Sequence, residues 1–586
     1  MMRRRLWILL LAAAVTTVVL KLQWAHGVAW DEVEFYRATK WLAEGRVPFR
    51  DFFEHHLPVQ WFLFAPVAFF VDSPGVGAIL IMRWAQALLW ICAFVVLHRM
   101  TRDAGADREG SLLAIVVLLA SPLFADLALE YRVDVPANLA YLAALFVAFR
   151  APRSRAAWIG FGALMSLSVL TNLRMVYLVI ATGALLLFVD ARERRWRFNA
   201  VALWMTAGIA AVGAAFGAWL AATHALAPFR AAMELNVSMD RVLAAEAHTL
   251  VPVLLRPFTS YDLAATALLV AGLAGSALAL REIRRPGSLQ LLAILAVLSV
   301  LSLTLLGVHY PYHLQLSLLL FVAPAAAIVR GVGMQRAALV VAGVALCLQL
   351  ASFTRPGTGV ALRYQDKVMR EADRRTLPNE RVWDGVGSAL RRPPAYRYWF
   401  LPSIVRLAAQ RRLIEPYGAM EMIAAPPAAI VHSVRVYFWF QQFPSAAAYA
   451  TTHYVPLYRD LWVPGLSAKV EPRRRVSWIV PRGGRYRLVA SELLPKHPWF
   501  YNPTHYAMAA GSDAVDFQLP LDRLPQVDRA RLAVAIDGHP VNASVFTLRK
   551  GGVISVESSL PETVGVLIVP ADVTTLFMAP EAPVVM

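Results

Sequence analysis

Cysteine is scarce in this chain: Cys92 and Cys347 are the only two among 586 residues, and both lie inside apolar runs. Two such cysteines exclude a disulfide framework for the polar part of the chain, and no Cys-x-x-Cys pair is present to hold a metal ion. Charge is scarce as well, since 58% of the residues are hydrophobic and 16% are charged. This composition excludes an ordinary soluble protein of this length.

Acidic residues are outnumbered, with 39 against 57 lysines and arginines and a net charge of +18. Such an excess can indicate nucleic-acid binding, but here the basic residues cluster in short links between apolar runs. The basic links are residues 3–5, 99–108, 150–155, 192–197, 281–285 and 330–336. They alternate with links that are poor in positive charge, which is the positive-inside pattern of membrane proteins. We therefore predict a lipid bilayer as a partner and no nucleic acid.

Most of residues 6–352 consists of apolar runs of about 15 to 24 residues, each able to cross or nearly cross a hydrocarbon core of about 30 Å. We predict about eleven transmembrane helices, at residues 6–24, 76–98, 111–125, 135–149, 157–171, 175–189, 199–223, 261–280, 288–307, 313–329 and 336–352. The first run has no convincing cleavage site, which favours an anchor over a signal peptide. With a cytoplasmic N-terminus, an odd number of spans places everything after residue 352 in the periplasm.

The predicted fold class is a polytopic α-helical membrane protein followed by soluble domains, with interfacial helices in the first outer loop. One interfacial helix is expected from Trp30 to Glu44, where Gly45 and Pro48 end it, and a second begins near Pro58. The predicted domains are a transmembrane domain at 1–352, a small α/β domain at 353–465 and a β-sandwich at 466–586. The α/β domain is predicted from alternating helical and strand-like segments. The β-sandwich is predicted from many short strands separated by turn residues.

Three polar stations fall on the predicted outer side: an Asp31–Glu32 pair beside Trp30, a Glu-x-Arg-x-Asp run formed by Glu130, Arg132 and Asp134, and the stretch HYPYHLQ. Ionisable residues at a membrane boundary are candidates for function. The alternatives are structural: a helix N-terminus that favours acidic residues, or an exposed salt bridge that contributes little.

Histidines and one further arginine extend these stations. His309 and His313 are four residues apart in HYPYHLQ, where contact with a phosphate or sugar, interfacial anchoring and a metal-ligand pair are the alternatives. His55 and His56 are adjacent, so their side chains should project apart on a helix and not share a metal ion. Arg174 is an outer cation able to pair with phosphate. We predict these residues as substrate-binding.

The order of these motifs resembles the GT-C glycosyltransferases that use polyprenyl-phosphate sugars, a group that includes protein O-mannosyltransferases, aminoarabinose transferases and Rgt-type transferases. The resemblance covers about residues 1–350 and rests on WDEVEFYRATKWLAEGRVPFRDFFEHHLPVQW, RWAQALLW, ALEYRVDVPANLAYLAALF and YPYHLQLSLLLFVAPAAAI. It implies that Asp31 is the catalytic base with Glu32 as its companion, and that Asp134 and Arg132 form the second outer motif. The HHLP stretch departs from the His-Pro-Pro-Leu pattern of the family, because Leu57 replaces its first proline.

The resemblance implies an inverting transfer of a monosaccharide from a polyprenyl-phosphate donor to a glycan, lipid or protein hydroxyl. The expected location is the periplasmic face of a bacterial inner membrane. No cofactor is identified, and a divalent cation at Asp134 stays an alternative to an orienting contact with Arg132. A transporter or flippase and a non-catalytic assembly protein of the cell envelope are the competing functions. The transporter is disfavoured because the spans hold few acidic residues and show no inverted repeat of broken helices.

Overall fold

The computed structural model describes residues 2–22, 27–151, 154–192, 198–245, 250–281, 287–306, 309–331, 335–354, 360–397, 409–410, 414–415, 417–491, 518–524 and 527–577. The chain divides into two compact units. The first contains residues 1–72 and 78–358, and the second contains residues 73–77 and 359–586.

Among its described residues the first unit is helical, apart from an isolated β-bridge between Pro48 and Phe52. Its helices are α1 (Met2–Leu20), α2 (Trp30–Ala43), α3 (Val59–Phe69), α4 (Gly77–Asp103), α5 (Arg108–Leu119), α6 (Pro122–Ala128), α7 (Asp134–Arg150), α8 (Arg155–Thr171), α9 (Met175–Arg192), α10 (Phe198–Ala222), α11 (Leu226–Ala245), α12 (Leu250–Thr259), α13 (Leu263–Arg281), α14 (Ser288–Ser302), α15 (Leu314–Gly331) and α16 (Gln335–Ser352). Short 3-10 turns at Leu303–Leu305 and Pro311–His313 connect α14 to α15.

Six helices in the described part of the chain are long and apolar enough to cross a membrane, and a bent pair raises the number to seven. The bent pair is α5 with α6, which meet at an angle of 76°. Several predicted spans correspond to shorter apolar helices, among them α8. The prediction of a polytopic helical membrane protein is confirmed, whereas the number eleven stays a prediction.

Close backbone contacts hold the bundle together where glycines face neighbouring helices. A Cβ atom on Gly162 of α8 would lie 2.1 Å from the carbonyl oxygen of Met205 in α10, and one on Gly208 would lie 2.1 Å from that of Ile159. Small residues let membrane helices approach closely, so that dispersion contacts replace the missing hydrophobic driving force. Substituting either glycine by alanine would force α8 and α10 apart.

The first outer loop contains the two predicted helices, α2 and α3, which pack against each other. Apolar side chains at helical spacing explain α2, and Phe35, Ala38 and Trp41 are all buried. Gly45 follows the helix with a φ of 84°, a left-handed conformation that glycine adopts without strain. Trp30 is partly exposed but Trp41 is buried, so one of the two tryptophans is a core residue of the unit.

The second unit contains a mixed sheet and a β-sandwich. Its helices are α17 (Val360–Arg375), α18 (Ala419–Ala424), α19 (Val434–Gln442) and α20 (Pro444–His453). Its strands are β1 (Val382–Trp383), β2 (Ala429–Val431), β3 (Tyr454–Tyr458), β4 (Leu461–Pro464), β5 (Leu466–Val470), β6 (Arg475–Ile479), β7 (Gly484–Ser491), β8 (Gln518–Pro520), β9 (Leu532–Ile536), β10 (His539–Pro540), β11 (Val545–Leu548), β12 (Val553–Ser558), β13 (Val564–Pro570) and β14 (Thr575–Phe577).

The mixed sheet has the order β1-β2-β4-β3, with β1 and β2 parallel, as an α/β unit requires. Two antiparallel sheets follow, with the orders β10-β9-β12-β6 and β11-β7-β13-β5. Side chains from both sheets, such as Trp478, Tyr486, Ile554 and Val566, share one hydrophobic core, which makes them a sandwich. The predicted helix at SIVRLAAQRRL lies largely outside the described residues.

Candidate active site at one end of the helical unit

The candidate site begins at the N-terminus of α2, where Asp31 and Glu32 occupy the first turn. The backbone N–H of Ala29 donates to Glu32 Oε2 at 2.9 Å, which closes the first turn of the helix. The partial positive charge of a helix N-terminus also favours two carboxylates at this position. Glu32 therefore fixes the start of α2, and Asp31 lies in the same first turn.

Glu32 is completely buried and engages three segments of the chain. Arg83 of α4 donates to it twice, from Nε to Oε1 at 2.7 Å and from Nη2 to Oε2 at 2.6 Å. The backbone N–H of Tyr131 donates to Oε1 at 2.8 Å. Such a bidentate pair with additional donors is the arrangement that compensates a buried carboxylate. The structure thus places Glu32, which was predicted as a companion of the base, as an anchor for the segment that carries Asp31.

Arg132 is the centre of a charged group that we call the Arg132 cluster, formed with Asp31, Glu130 and Asp134. Its Nη1 atom lies 2.9 Å from Asp31 Oδ2 and 3.4 Å from Glu130 Oε2, and its Nε atom lies 3.1 Å from Asp134 Oδ2. Burial by itself would lower the pKa of the guanidinium, but the carboxylates of Asp31 and Asp134 raise it above its usual value. The second polar station therefore meets the first at Arg132.

The third station reaches the Arg132 cluster through an aromatic ring. The Arg132 guanidinium carbon lies 4.0 Å from the ring centre of Tyr312, a cation–π distance. Arg174 donates from Nη1 to His313 Nε2 at 2.7 Å and to the Tyr312 hydroxyl at 3.3 Å. Asn172 donates to Asp134 Oδ1 at 3.0 Å. Segments that are far apart in sequence thus converge on one site.

A small cleft, with a volume of about 50 Å³, opens beside these groups. Its polar lining consists of Asp134, Asn138, Asn172, Arg174, Ser299, Ser302, Tyr312, His313 and Ser317, and its apolar lining of Met175, Leu178, Leu303, Leu306 and Leu316. A ligand with a charged head and an aliphatic tail fits such a mixed lining.

The remaining predicted histidines lie in two different places. His309 is at hydrogen-bond distance, 2.8 Å, from the carbonyl oxygen of Leu303, so it holds the connection between α14 and α15. His55 and His56 do not project apart, because residues 53–55 are not helical and the two ring centres lie only 3.8 Å apart. Both rings face Glu54, and this arrangement departs from the expected one.

Tyr312, Asn172 and Arg83 are site residues that the sequence prediction did not include. Tyr312 lies between the two histidines of HYPYH, and Asn172 precedes Arg174 by two positions. Both are therefore close in sequence to residues that were predicted for the site. Arg83 was a single arginine in an apolar span, a signal for a buried ionic partner. Asp134 has both carboxylate oxygens occupied, by Arg132 and Asn172, which favours an orienting contact over a cation at that residue.

Glu130 makes the site sensitive to pH. Burial, together with the nearby Glu32 carboxylate, raises its pKa to about 8, against the opposing effect of Arg132 and Arg83. Between the ordinary pKa of 4.5 and about 8, the folded chain holds a proton that the unfolded chain has lost, so stability falls as the pH rises through this window. We expect the Tm of the wild type in detergent to fall relative to that of Glu130→Gln between about pH 5 and pH 8. A Tm difference that does not change with pH would contradict this assignment.

Comparison with known proteins supports the fold. Residues 60–219 match the family model described as dolichyl-phosphate-mannose-protein mannosyltransferase. The structure is similar to that of ArnT from Cupriavidus metallidurans in the apo state, with a TM-score of 0.52, 14% identity, and 79% of this chain and 98% of ArnT covered. For ArnT bound to undecaprenyl phosphate the TM-score is 0.53, the identity 14% and the coverage 78% and 97%. These likenesses confirm the predicted fold class, a polytopic helical membrane protein, and show that the chain has the fold of ArnT.

A more distant likeness is to the Archaeoglobus fulgidus oligosaccharyltransferase in complex with zinc and sulfate. Its TM-score is 0.45 at 14% identity, with 76% of this chain and 71% of that chain covered. Among curated proteins, none matches the chain by sequence.

Proposed function

We propose that this protein is an inverting glycosyltransferase that moves a monosaccharide from a polyprenyl-phosphate donor to an acceptor hydroxyl on a glycan, lipid or protein. The proposed site faces the periplasm of a bacterial inner membrane, with the N-terminus in the cytoplasm and the second unit in the periplasm. Two likenesses support this proposal: ArnT, which shares the fold, binds undecaprenyl phosphate, and residues 60–219 match a mannosyltransferase family model.

The observation that carries the proposal is the contact between Asp31 and Arg132 beside the cleft, 2.9 Å from Oδ2 to Nη1. The Asp31 side chain is 36% exposed, whereas that of Arg132 is almost fully buried. A carboxylate that is held by a buried guanidinium is oriented, and its exposure lets an acceptor hydroxyl reach it. These are the requirements for a general base.

Arg174 is the better candidate for binding the donor phosphate. The charge of Arg132 is matched by the carboxylates of the Arg132 cluster, so little of it is left for a further anion. Arg174 is exposed, lines the cleft and donates to the Tyr312 hydroxyl and the His313 imidazole. A guanidinium suits bidentate recognition of phosphate oxygens.

The proposed reaction is a single displacement. Asp31 takes the proton of the acceptor hydroxyl while the acceptor oxygen forms a bond to the anomeric carbon. The bond between that carbon and the phosphate oxygen breaks, and its electron pair leaves with the polyprenyl phosphate. The leaving phosphate gains negative charge, which Arg174 stabilises. Attack from the face opposite the phosphate inverts the configuration of the sugar.

Transport of a lipid-linked substrate and a non-catalytic role in envelope assembly are the competing functions. Protein reconstituted in vesicles with a labelled polyprenyl-phosphate sugar separates them. Transfer of label to an acceptor, without movement of the donor across the bilayer, is the expected result. Movement of the donor without transfer would identify a flippase, and neither activity with a full set of acceptors would favour an assembly protein.

Replacing Arg174 by Ala is expected to weaken donor binding by about ten-fold to a hundred-fold, since a charge-assisted hydrogen bond contributes roughly 1.5–3 kcal/mol. Arg174→Lys should restore part of the affinity because it keeps the charge and loses the planar fork. The measurement is the Kd for a polyprenyl-phosphate sugar in detergent. Arg150→Ala is the matched control, because Arg150 pairs with Asp103 at the end of α7 opposite Asp134. Equal donor affinities for Arg174→Ala and Arg150→Ala would exclude Arg174 as the phosphate ligand.

A further inference from the structure

Four side chains outside the Arg132 cluster form a second group, which we call the Glu34 cluster: Glu34, Glu54, His55 and His56. Glu34 lies on α2, one turn after Asp31, and the other three lie in the loop between α2 and α3. One donor atom from each of the four residues lies within 4.8 Å of the other three donor atoms. Two carboxylates and two imidazoles converging in this way form a donor set that zinc and similar divalent cations prefer.

Both carboxylates of the Glu34 cluster are buried. Glu34 is 1% exposed and Glu54 is 0% exposed, and two carboxylates that lose their hydration beside each other repel. Glu54 Oε1 accepts from the backbone N–H groups of His55 and His56, at 2.9 Å and 3.1 Å. Its other oxygen, Oε2, is buried and has no hydrogen-bond partner among the described residues. A cation bound by the Glu54 carboxylate would offset part of the cost of burying it.

Two of the distances between donor atoms agree with a tetrahedral metal site. Metal–ligand distances of about 2.0–2.2 Å imply that ligand atoms at the corners of a tetrahedron lie roughly 3.4 Å apart. His55 Nδ1 lies 3.4 Å from Glu34 Oε1 and 3.5 Å from Glu54 Oε1, which is longer than an ordinary hydrogen bond. His56 Nδ1 lies at hydrogen-bond distance, 2.9 Å, from Glu54 Oε1, a contact that a bound cation would replace.

We propose that the Glu34 cluster binds one zinc ion, or a first-row divalent cation of similar chemistry, with Glu34, Glu54, His55 and His56 as its ligands. Four protein ligands leave no open position, so the ion has a structural role and takes no part in the transfer. It ties the loop at residues 54–56 to α2, and it thereby fixes the helix turn that carries Asp31. The inference is independent of the proposed function, because zinc content is measured without any substrate.

The test is the zinc content of the full-length protein, purified in detergent with every affinity tag removed and measured by plasma mass spectrometry. We expect about one zinc per chain for the wild type and a small fraction of that for His56→Ala and Glu54→Gln. His56→Cys should retain zinc, because a thiolate is a good ligand at the same position. His98→Ala is the control, since His98 lies outside the cluster and contacts Ser111 at 2.9 Å.

Thermal unfolding gives a second readout for a variant that folds poorly. Zinc added to chelator-treated wild type should raise Tm by several degrees, because a ligand that binds the folded state stabilises it. The Tm of His56→Ala should not respond to zinc. The proposal is overturned if the wild type binds no more zinc than His56→Ala, or if its Tm is the same with zinc and with chelator.

Discussion

Asp31→Asn is expected to lower the rate of sugar transfer by about 10²- to 10⁴-fold, the contribution that general base catalysis makes in enzymes. An amide has almost the same shape as the carboxylate but cannot take the proton of the acceptor hydroxyl. It also cannot match the charge of Arg132, which keeps its contacts to Glu130 and Asp134. Donor binding should change little, because the phosphate is assigned to Arg174 on another segment.

The experiment compares transfer and donor binding in the same preparation. Single-turnover rates with a labelled polyprenyl-phosphate sugar give the chemical step, and the donor Kd gives the binding step. Asp51→Asn is the matched control: Asp51 also lies in the first outer loop, but it is paired with Arg50, 2.7 Å away. Full transfer by Asp31→Asn would remove Asp31 as the base, and equal losses for both variants would indicate a general effect on the loop.

Local sequence patterns were sufficient to predict several elements of the fold. The apolar spacing and the Gly45 stop predicted α2 to within one residue, since its apolar face and its termination are encoded in adjacent residues. The strand-like runs RYRLVAS and VGVLIVP became β7 and β13, which pair with each other. Each of these predictions depended on signals that act over a few residues, such as helical spacing or alternation.

Other features depend on contacts that a linear pattern does not contain. Glu32 is bound by Arg83, 51 residues further along the chain, and nothing in WDEVEF distinguishes a carboxylate that anchors from one that reacts. The side chains of the two adjacent histidines were expected to project apart, as those of neighbouring residues on a helix do. They lie instead in an irregular loop, where their rings come together over Glu54. The number of transmembrane helices was also hard to predict, because one apolar run forms two helices, α5 and α6, that meet at an angle of 76°.

The convergence of the polar stations, in contrast, followed from topology alone. If Asp31 and Asp134 are on the same side of the membrane, their segments can share a cavity, and both residues contact Arg132. A sequence that alternates basic and nonbasic links fixes which helix ends are neighbours. It does not fix which side chains touch, and for this reason the contacts of Tyr312 and Asn172 with the Arg132 cluster were seen only in the structure.

Breaking the buried pair between Arg83 and Glu32 is expected to have the largest effect on stability. Arg83→Met would leave the Glu32 carboxylate buried without its bidentate partner, which costs roughly 3–5 kcal/mol of unfolding free energy. Glu32→Gln should cost a comparable amount, because Arg83 is then the uncompensated charge. The measurement is unfolding in detergent micelles for each variant and for the double variant Arg83→Met with Glu32→Gln.

The double variant distinguishes an anchor from a catalytic group. If the two residues act on stability as a pair, the cost in the double variant should be well below the sum of the single costs, since neither charge remains buried alone. The amide oxygen introduced by Glu32→Gln can still accept from the backbone N–H of Ala29 and close the first turn of α2. Asp31 should therefore keep its position, and part of the transfer rate should return.

A chemical role for Glu32 would give a different pattern. Glu32→Gln would then lower transfer at unchanged stability, and removing Arg83 as well would restore nothing. The hydrogen bond from the Tyr131 backbone N–H to Glu32 Oε1, at 2.8 Å, predicts the anchoring outcome, because the same carboxylate also positions the segment that carries Arg132.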